Sequence, residues 1–145
     1  MNRHSRRFGQ SGFSLLEVLI TVVIIAVGLM GFAGMMVKSA KNNRIAMHRS
    51  LATLYAYDII DCMRVNRTAA TNGDYNVDFG GVPTRSEIAI ADVNDWQTVQ
   101  LPKVLPSGRG KITVAGSTVT VEIQWTETVG AGDSASHTWK TESTL

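Results

Sequence analysis

Three patterns of apolar and polar positions follow one another along this chain. The first is continuous. From Val18 to Val37 no residue is charged, and Glu17 is the only charge between Gly12 and Val37. At about 1.5 Å per residue, roughly twenty helical residues span the roughly 30 Å hydrocarbon core of a bilayer. Inside the run Gly28, Gly31 and Gly34 recur every third residue, beside Ala26 and Ala33. Glycines cost a helix about 1 kcal/mol each relative to alanine, yet small residues let helices approach closely in a membrane. Close packing and local extension are both open to them.

The second pattern is amphipathic. No Gly or Pro occurs from Met35 to Thr71, and Leu51, Tyr55, Ile59, Cys62 and Met63 recur at spacings of three and four. That is the stripe of a helix with one buried face. Asp58 and Asp61 fall on another face, with Arg64 placed to pair with Asp61. Asn72-Gly73 is a stop signal. The reading is one helix from near Phe13 to about Arg67, apolar all round at first and one-faced later.

Residues 68–95 are rich in Gly, Asn and Asp and contain Gly80-Gly81 and Pro83. They predict an irregular connection with one short strand at Glu87–Ala91. Asp92–Leu101 predicts a short helix that turns Trp96 and Val99 inward and ends at Pro102 and Pro106.

The third pattern alternates. Lys111–Ala115 reads as a strand and Gly116-Ser117 as a turn. Thr118–Thr126 places Val119, Val121, Ile123 and Trp125 on one face. Gly130–Ser136 reads as a loop, and Ser136–Ser143 alternates again with Trp139 inward. A three-strand antiparallel meander covered by the stripe at Leu51–Met63 makes an α+β fold. The divisions are 1–12, 13–37, 38–67, 68–109 and 110–145.

Charge and chemistry narrow the function. Of 145 residues, 26 are charged and none forms a long run of one sign. The formal charge is +2, but Arg3, Arg6 and Arg7 alone carry three positive charges. The basic balance is therefore no sign of nucleic-acid binding. Residues 1–12 are polar and read as a targeting leader. An ordinary secretory signal cut near Ala33 fits poorly, because the run is too long and an acid stands near its start. Lys38, Lys41, Arg44 and Arg49 follow the run with no acid before Asp58. Both flanks are basic, so charge does not orient the span. The second basic segment suits anionic headgroups or acidic patches on neighbouring subunits.

Cys62 is the only cysteine, which excludes an intrachain disulfide. His4, His48 and His137 lie far apart and match no zinc spacing. Asp58 and Asp61 lack an accompanying nucleophile, base or metal ligand, so they read as a solvated face, and Cys62 as a small buried hydrophobe. Asn66-Arg67-Thr68 matches a glycosylation sequon, a pattern common by chance. No cofactor and no enzymatic activity are expected.

A basic leader ending at Gly12, then Phe13, then Glu17 just inside an apolar helix, resembles the class III signal of type IV prepilins and pseudopilins. The resemblance implies a pilin-like fold, with a long N-terminal helix packed against a small C-terminal sheet. It implies cleavage between Gly12 and Phe13 by a prepilin peptidase acting on the cytoplasmic side, and N-methylation of Phe13. It implies that Glu17 meets the N-terminal amine of a neighbouring subunit in a filament. The leader would then be cytoplasmic and the C-terminal domain periplasmic, in a single-pass inner-membrane protein that enters the pilus.

Two further stretches, Gly28–Gly34 and Tyr55-Ala-Tyr-Asp-Ile-Ile-Asp-Cys-Met-Arg-Val-Asn66, resemble minor pilins. So do Trp96-Gln97, Leu105–Gly110 and Val121–Trp125 in the same order. The major pilins' paired C-terminal cysteines are absent here. The partners implied are the peptidase, other minor pilins, the major pilin and the inner-membrane assembly platform. A minor pseudopilin of a type II secretion system is the alternative. A membrane-tethered enzyme or ligand-binding domain on a plain signal anchor is the rival of another class.

Overall fold

The computed structural model describes residues 12–128 and 134–145. Two units are distinct, Met1–Asn42 and Asn43–Leu145. The described part of the first unit, from Gly12, is the beginning of helix α1, which runs Leu15–Val65. Every residue from Gly12 to Ala40 is exposed. An apolar helix exposed on all sides needs a non-aqueous surround, either lipid or other helices.

The second unit is built on the remainder of α1, where Ala52, Ala56, Ile59, Ile60 and Met63 are buried. Leu51, Tyr55 and Cys62 only flank that line and are partly buried. The stripe is therefore centred one position later than the larger side chains suggest. Two alanines, Ala52 and Ala56, form its middle and are fully buried in the core. Arg64 Nη1 donates to Asp61 Oδ1 at 2.8 Å, as the three-residue spacing predicts. Arg64 Nη2 also reaches Ser143 Oγ at 2.9 Å and the Thr144 carbonyl at 3.2 Å.

After α1 a short helix α2, Arg67–Thr71, ends at Asn72-Gly73, where Gly73 takes φ +81°. Tyr75 is fully buried. Its hydroxyl donates to Asp92 Oδ2 at 2.6 Å and accepts from Asn66 Nδ2 at 3.3 Å. Burial first, and then the Asp92 carboxylate, push the phenol far above its ordinary value.

Glu87–Ala91 is helical, not a strand. It opens helix α3, Glu87–Asp95, whose N-cap Ser86 accepts a hydrogen bond from the Ala89 N–H. Ala89 and Val93, four apart, are the buried positions, a helical period that the short window hid. Past α3 the chain makes one π turn, Trp96–Gln100, and closes with helix α4, Leu101–Val104.

Two expectations fail at that turn. Gln97 is buried beside Trp96, while Val99 is 54% exposed. The wide turn shifts the helical phase, so the two adjacent residues face inward together. Pro102 does not end the helix; it sits at the start of α4. The Leu101 N–H bonds to the Trp96 carbonyl, five residues back. This widening suits a residue that lacks an N–H and crowds the preceding turn. The helix ends at Leu105, just before Pro106.

The sheet has strand order β1-β2-β3 and is antiparallel throughout. Strand β1 is Arg109–Ala115, β2 is Thr118–Thr128 and β3 is Ser134–Thr144. Each is longer than its expected range. Ser134–Ser136 belong to β3, whereas Gly130–Asp133 of the expected loop lie outside the described residues. Gly116, φ +64°, turns β1 into β2, and Ala115 pairs with Thr118. Glycine is the residue that a two-residue II′ hairpin turn takes first. Val119, Val121, Ile123 and Trp125 are all buried, and Trp139 packs partly against the same core.

Candidate functional site

The N-terminal segment carries the residues singled out by the sequence. Gly12 is exposed, and Phe13 is 84% exposed. The helix begins two residues later because Ser14 caps it. The Ser14 carbonyl accepts from the N–H groups of Glu17 (3.0 Å) and Val18 (3.2 Å), and its hydroxyl oxygen accepts from the Leu16 N–H at 3.3 Å. The Gly12–Phe13 bond thus lies just outside regular structure. An extended, accessible peptide is what a protease needs, since a helical one must first unwind. The basic leader, with Arg3, Arg6 and Arg7, lies outside the described residues.

Glu17 sits in the first turn of α1. Its carboxylate faces the positive end of the helix dipole, which favours an acid there. The Thr21 hydroxyl bonds to the Glu17 carbonyl at 2.7 Å, so Thr21 meets its own hydrogen-bonding need within the helix. The Glu17 carboxylate is exposed and makes no ion pair or hydrogen bond among the described residues. An ionised group in lipid costs up to about 2.5–3.5 kcal/mol at the bilayer centre and less near its surface. A cationic partner removes much of that cost.

The other candidate chemistry stays dispersed. Asp58 and Asp61 are exposed on α1. The Cys62 thiol is raised above its ordinary value, by burial first and then by Asp92, Asp58 and Asp61, so it stays protonated and poorly nucleophilic. Among the described residues no group of three His, Cys, Asp or Glu is disposed to hold a metal ion. A polar cleft of about 290 Å³ is lined by Asn72, Gly73, Asp74, Asn76, Thr84 and Arg85. Its hydroxyl, Thr84, and its carboxylate, Asp74, share no hydrogen bond.

Two buried polar clusters escaped the sequence reading. Gln97 Oε1 accepts from the N–H groups of Gly80 (3.1 Å) and Gly110 (2.9 Å), and its Nε2 donates to the Gly81 carbonyl at 2.8 Å. It staples the Gly80-Gly81 loop to β1. Glu127 Oε1 accepts from His48 Nδ1 at 3.1 Å and Trp125 Nε1 at 2.8 Å. His137 stacks on Trp125, with its Nε2 3.8 Å from Glu127 Oε2. Burial works against ionisation of Glu127. The Trp125 and His48 hydrogen bonds and the charges of His137 and His48 outweigh it and hold the carboxyl below its ordinary value. Polar residues that pair over 13 to 79 positions leave no local signal, although Glu127 does fall on the apolar side of the β2 alternation.

Residues 7–33 match the family described as the prokaryotic N-terminal methylation motif. The chain carries a prepilin-type signal. The match takes in Gly12, Phe13 and Glu17 and the apolar start of α1. It indicates a type IV pilin-like or pseudopilin protein, processed by prepilin peptidase and anchored in the inner membrane in association with pilus machinery. The α1 helix is long and apolar enough to cross a membrane. The long apolar helix and the three-stranded antiparallel sheet match the α+β type IV pilin-like fold. No curated protein and no solved structure matches the chain. The signal suggests a structural rather than an enzymatic protein.

Proposed function

We propose that this chain is a minor pilin that helps initiate and assemble type IV pili, similar to PilV, the type IV pilus modification protein. The observation that carries the reading is Gly12-Phe13 beside the capped start of an apolar helix, with an unpartnered Glu17 in its first turn. In this proposal the peptidase cuts between Gly12 and Phe13, and the new Phe13 amine is methylated. Residues 13–37 anchor the chain and then enter the filament core, where Glu17 meets a neighbour's amine. The leader faces the cytoplasm, the C-terminal domain faces the periplasm, and the mature chain joins the pilus. Its partners are other minor pilins, the major pilin and the assembly platform.

Support for the minor role comes from the block Tyr55–Asn66. That support is the block's resemblance to minor pilins; structurally, Ala56, Ile59, Ile60 and Met63 of it are core residues, and the Tyr55 carbonyl accepts the Trp96 indole N–H at 2.9 Å. The block thus sets how α1 receives its own domain. A minor pseudopilin of a type II secretion system has equal support from residues 7–33 and differs over this block.

The test has two arms. Gly12→Val should leave the leader attached, read by mass spectrometry of membrane-extracted protein; normal trimming overturns the cleavage assignment. Co-purification from membranes with and without the other minor pilins then tests the assembly role. Recovery with secretion pseudopilins alone overturns it.

A further inference from the structure

The two ends of β3 are held to α1 by different chemistry. At its last residues, Arg64 of α1 donates to Ser143 Oγ and to the Thr144 carbonyl. A guanidinium stays charged throughout the physiological range, so this tie is permanent. At its first residues the link to α1 runs through β2. Thr128 pairs there with Ser134, and Trp125 with His137. The Glu127 carboxylate of β2 is buried between two imidazoles. Its Oε1 accepts from His48 Nδ1 of α1 at 3.1 Å. Its Oε2 lies 3.8 Å from His137 Nε2 of β3, too far for a hydrogen bond. That ring nitrogen is buried and has no hydrogen-bond partner among the described residues. His48 needs no added proton, because a neutral ring already supplies its Nδ1–H. His137 differs. A proton on its ring places a charged donor beside an anion, the stronger kind of hydrogen bond. The ring also stacks on Trp125 with centroids 5.8 Å apart, and an indole face attracts a cation at about 6 Å.

We propose that His48, Glu127 and His137 form a proton-operated latch. Uptake of a proton by His137 turns its approach to Glu127 into a hydrogen-bonded ion pair. The chain His48–Glu127–His137 then fastens the Thr128–Ser134 end of the hairpin to α1. Mild acid closes the latch, and neutral or alkaline medium loosens it. Imidazoles change charge between about pH 5 and pH 8, so the response falls in that range. Among the described residues, the titratable groups that face His137 are Glu127 from β2 and, through it, His48 from α1. On β3 itself Lys140 and Glu142 pair with each other on the exposed side of the sheet. The other cations of α1 within two turns of His48 are Lys41, Arg44 and Arg49, and the two arginines are exposed. Exposed charges are screened, whereas the Glu127 carboxylate is buried and adjacent, so its attraction prevails. A folded chain that holds a proton more tightly than the unfolded chain gains stability as pH falls and loses it again as pH climbs. The latch is a property of the domain and holds whichever filament system the chain joins.

The experiment uses the mature full-length chain in detergent micelles. Its only histidines are His48 and His137, since His4 lies in the leader. Long-range proton–nitrogen NMR of the unmutated chain should show His137 Nε2 gaining its proton before the His48 ring does. Between about pH 7.5 and about pH 5.5 the unfolding constant from urea titration should fall on the order of fivefold. His137→Gln cannot take the proton and should change less than about twofold over the same range. Glu127→Gln removes the anion and should lose the response as well. His48→Gln keeps a donor to Glu127 and should retain most of it. Amide exchange, corrected for its intrinsic pH dependence, should slow on acidification more at residues 126–128 and 134–136 than at 141–144. An equal response in the parent chain and His137→Gln overturns the proposal, as does a proton taken up first by His48. A fall in stability on acidification over this range overturns it, and so does a full response in Glu127→Gln.

Discussion

The indole of Trp96 occupies the space that a side chain on Gly110 would need. A Cβ built on Gly110 collides with the far edge of the ring, at Cη2, Cζ3 and Cζ2. The same ring is held from the other side by its N–H bond to the Tyr55 carbonyl. Helix α1, the π turn and β1 thus meet at one side chain and one missing side chain. Gly110→Ala must displace a fully buried tryptophan. Overpacking of this kind costs about 1–3 kcal/mol. The melting temperature of the mature chain in micelles should fall by on the order of 5–15 °C. Trp96→Leu in the same chain should make Gly110→Ala nearly neutral, and a double-mutant cycle reads that coupling. Full additivity of the two changes would show that the contact does not matter.

Gln97 offers a separate test of the same region. Removing its amide strands the Gly80 and Gly110 N–H groups and the Gly81 carbonyl, each bonded to it. An unmet buried polar group costs about 1–3 kcal/mol, and water can reach some of these, so Gln97→Ala should lose about 2–4 kcal/mol by urea unfolding. Gln97→Glu is more telling. It keeps the two accepted bonds but turns a donor into an oxygen facing the Gly81 carbonyl. The protonated acid can donate again, so this variant should gain stability relative to the parent as pH falls. A penalty that does not change with pH would count against the assigned amide orientation.

Glu127 governs the opposite response. Its native carboxyl titrates below its ordinary value, whereas the unfolded chain titrates near about 4.3. A depressed native value means that the unfolded state binds the proton more readily. The contribution is therefore complete above the unfolded value and is lost as pH falls through the native one. Glu127→Gln should weaken the domain at neutral pH, because His48 and Trp125 lose a charged acceptor. It should also flatten the drop in urea midpoint between about pH 5 and pH 3 relative to the parent chain. Parallel acid limbs in parent and variant would assign the acid sensitivity to other carboxylates.

How much of this was legible follows from range. The β2 alternation and the Asp61–Arg64 pair depend on residues within a few positions, and each stands as the pattern predicts; Asn72-Gly73 does stop a helix, but the short α2, since α1 itself ends at Val65. Glu87–Ala91 misled because a short window does not separate a strand from one turn of helix; the Ser86 cap was the usable sign. Pro102 misled because a π turn tolerates the missing N–H, and nothing local announces a π turn. The stripe on α1 is legible at Ile59 and Met63, but its N-terminal part is centred one position later, on Ala52 and Ala56, because an alanine adds little to an apolar pattern. Gln97 and Glu127 were illegible because their partners are set by tertiary packing. At the N-terminus the reverse holds. Gly12, Phe13 and Glu17 stand within six positions of one another, so the whole candidate site is local in sequence.

Glu17 gives the last prediction, and it separates processing from assembly. Its carboxylate has no partner within the chain's described residues and stands at the start of an apolar helix. Replacing it with alanine removes a charge that lipid disfavours, so membrane insertion should be no weaker. The Gly12–Phe13 bond lies outside the helix that Glu17 begins, so leader removal should continue, read by mass spectrometry. Recovery of other pilins with the variant should fall at least fivefold, because the incoming amine loses the group that offsets its own burial. Glu17→Gln keeps size and hydrogen bonding and should fall as far, which distinguishes charge from packing. Glu17→Asp keeps the charge on a shorter arm and should recover part of the binding. Undiminished recovery with both Glu17→Ala and Glu17→Gln would show that the acid is not the amine's partner, and the Gly12 result would still stand.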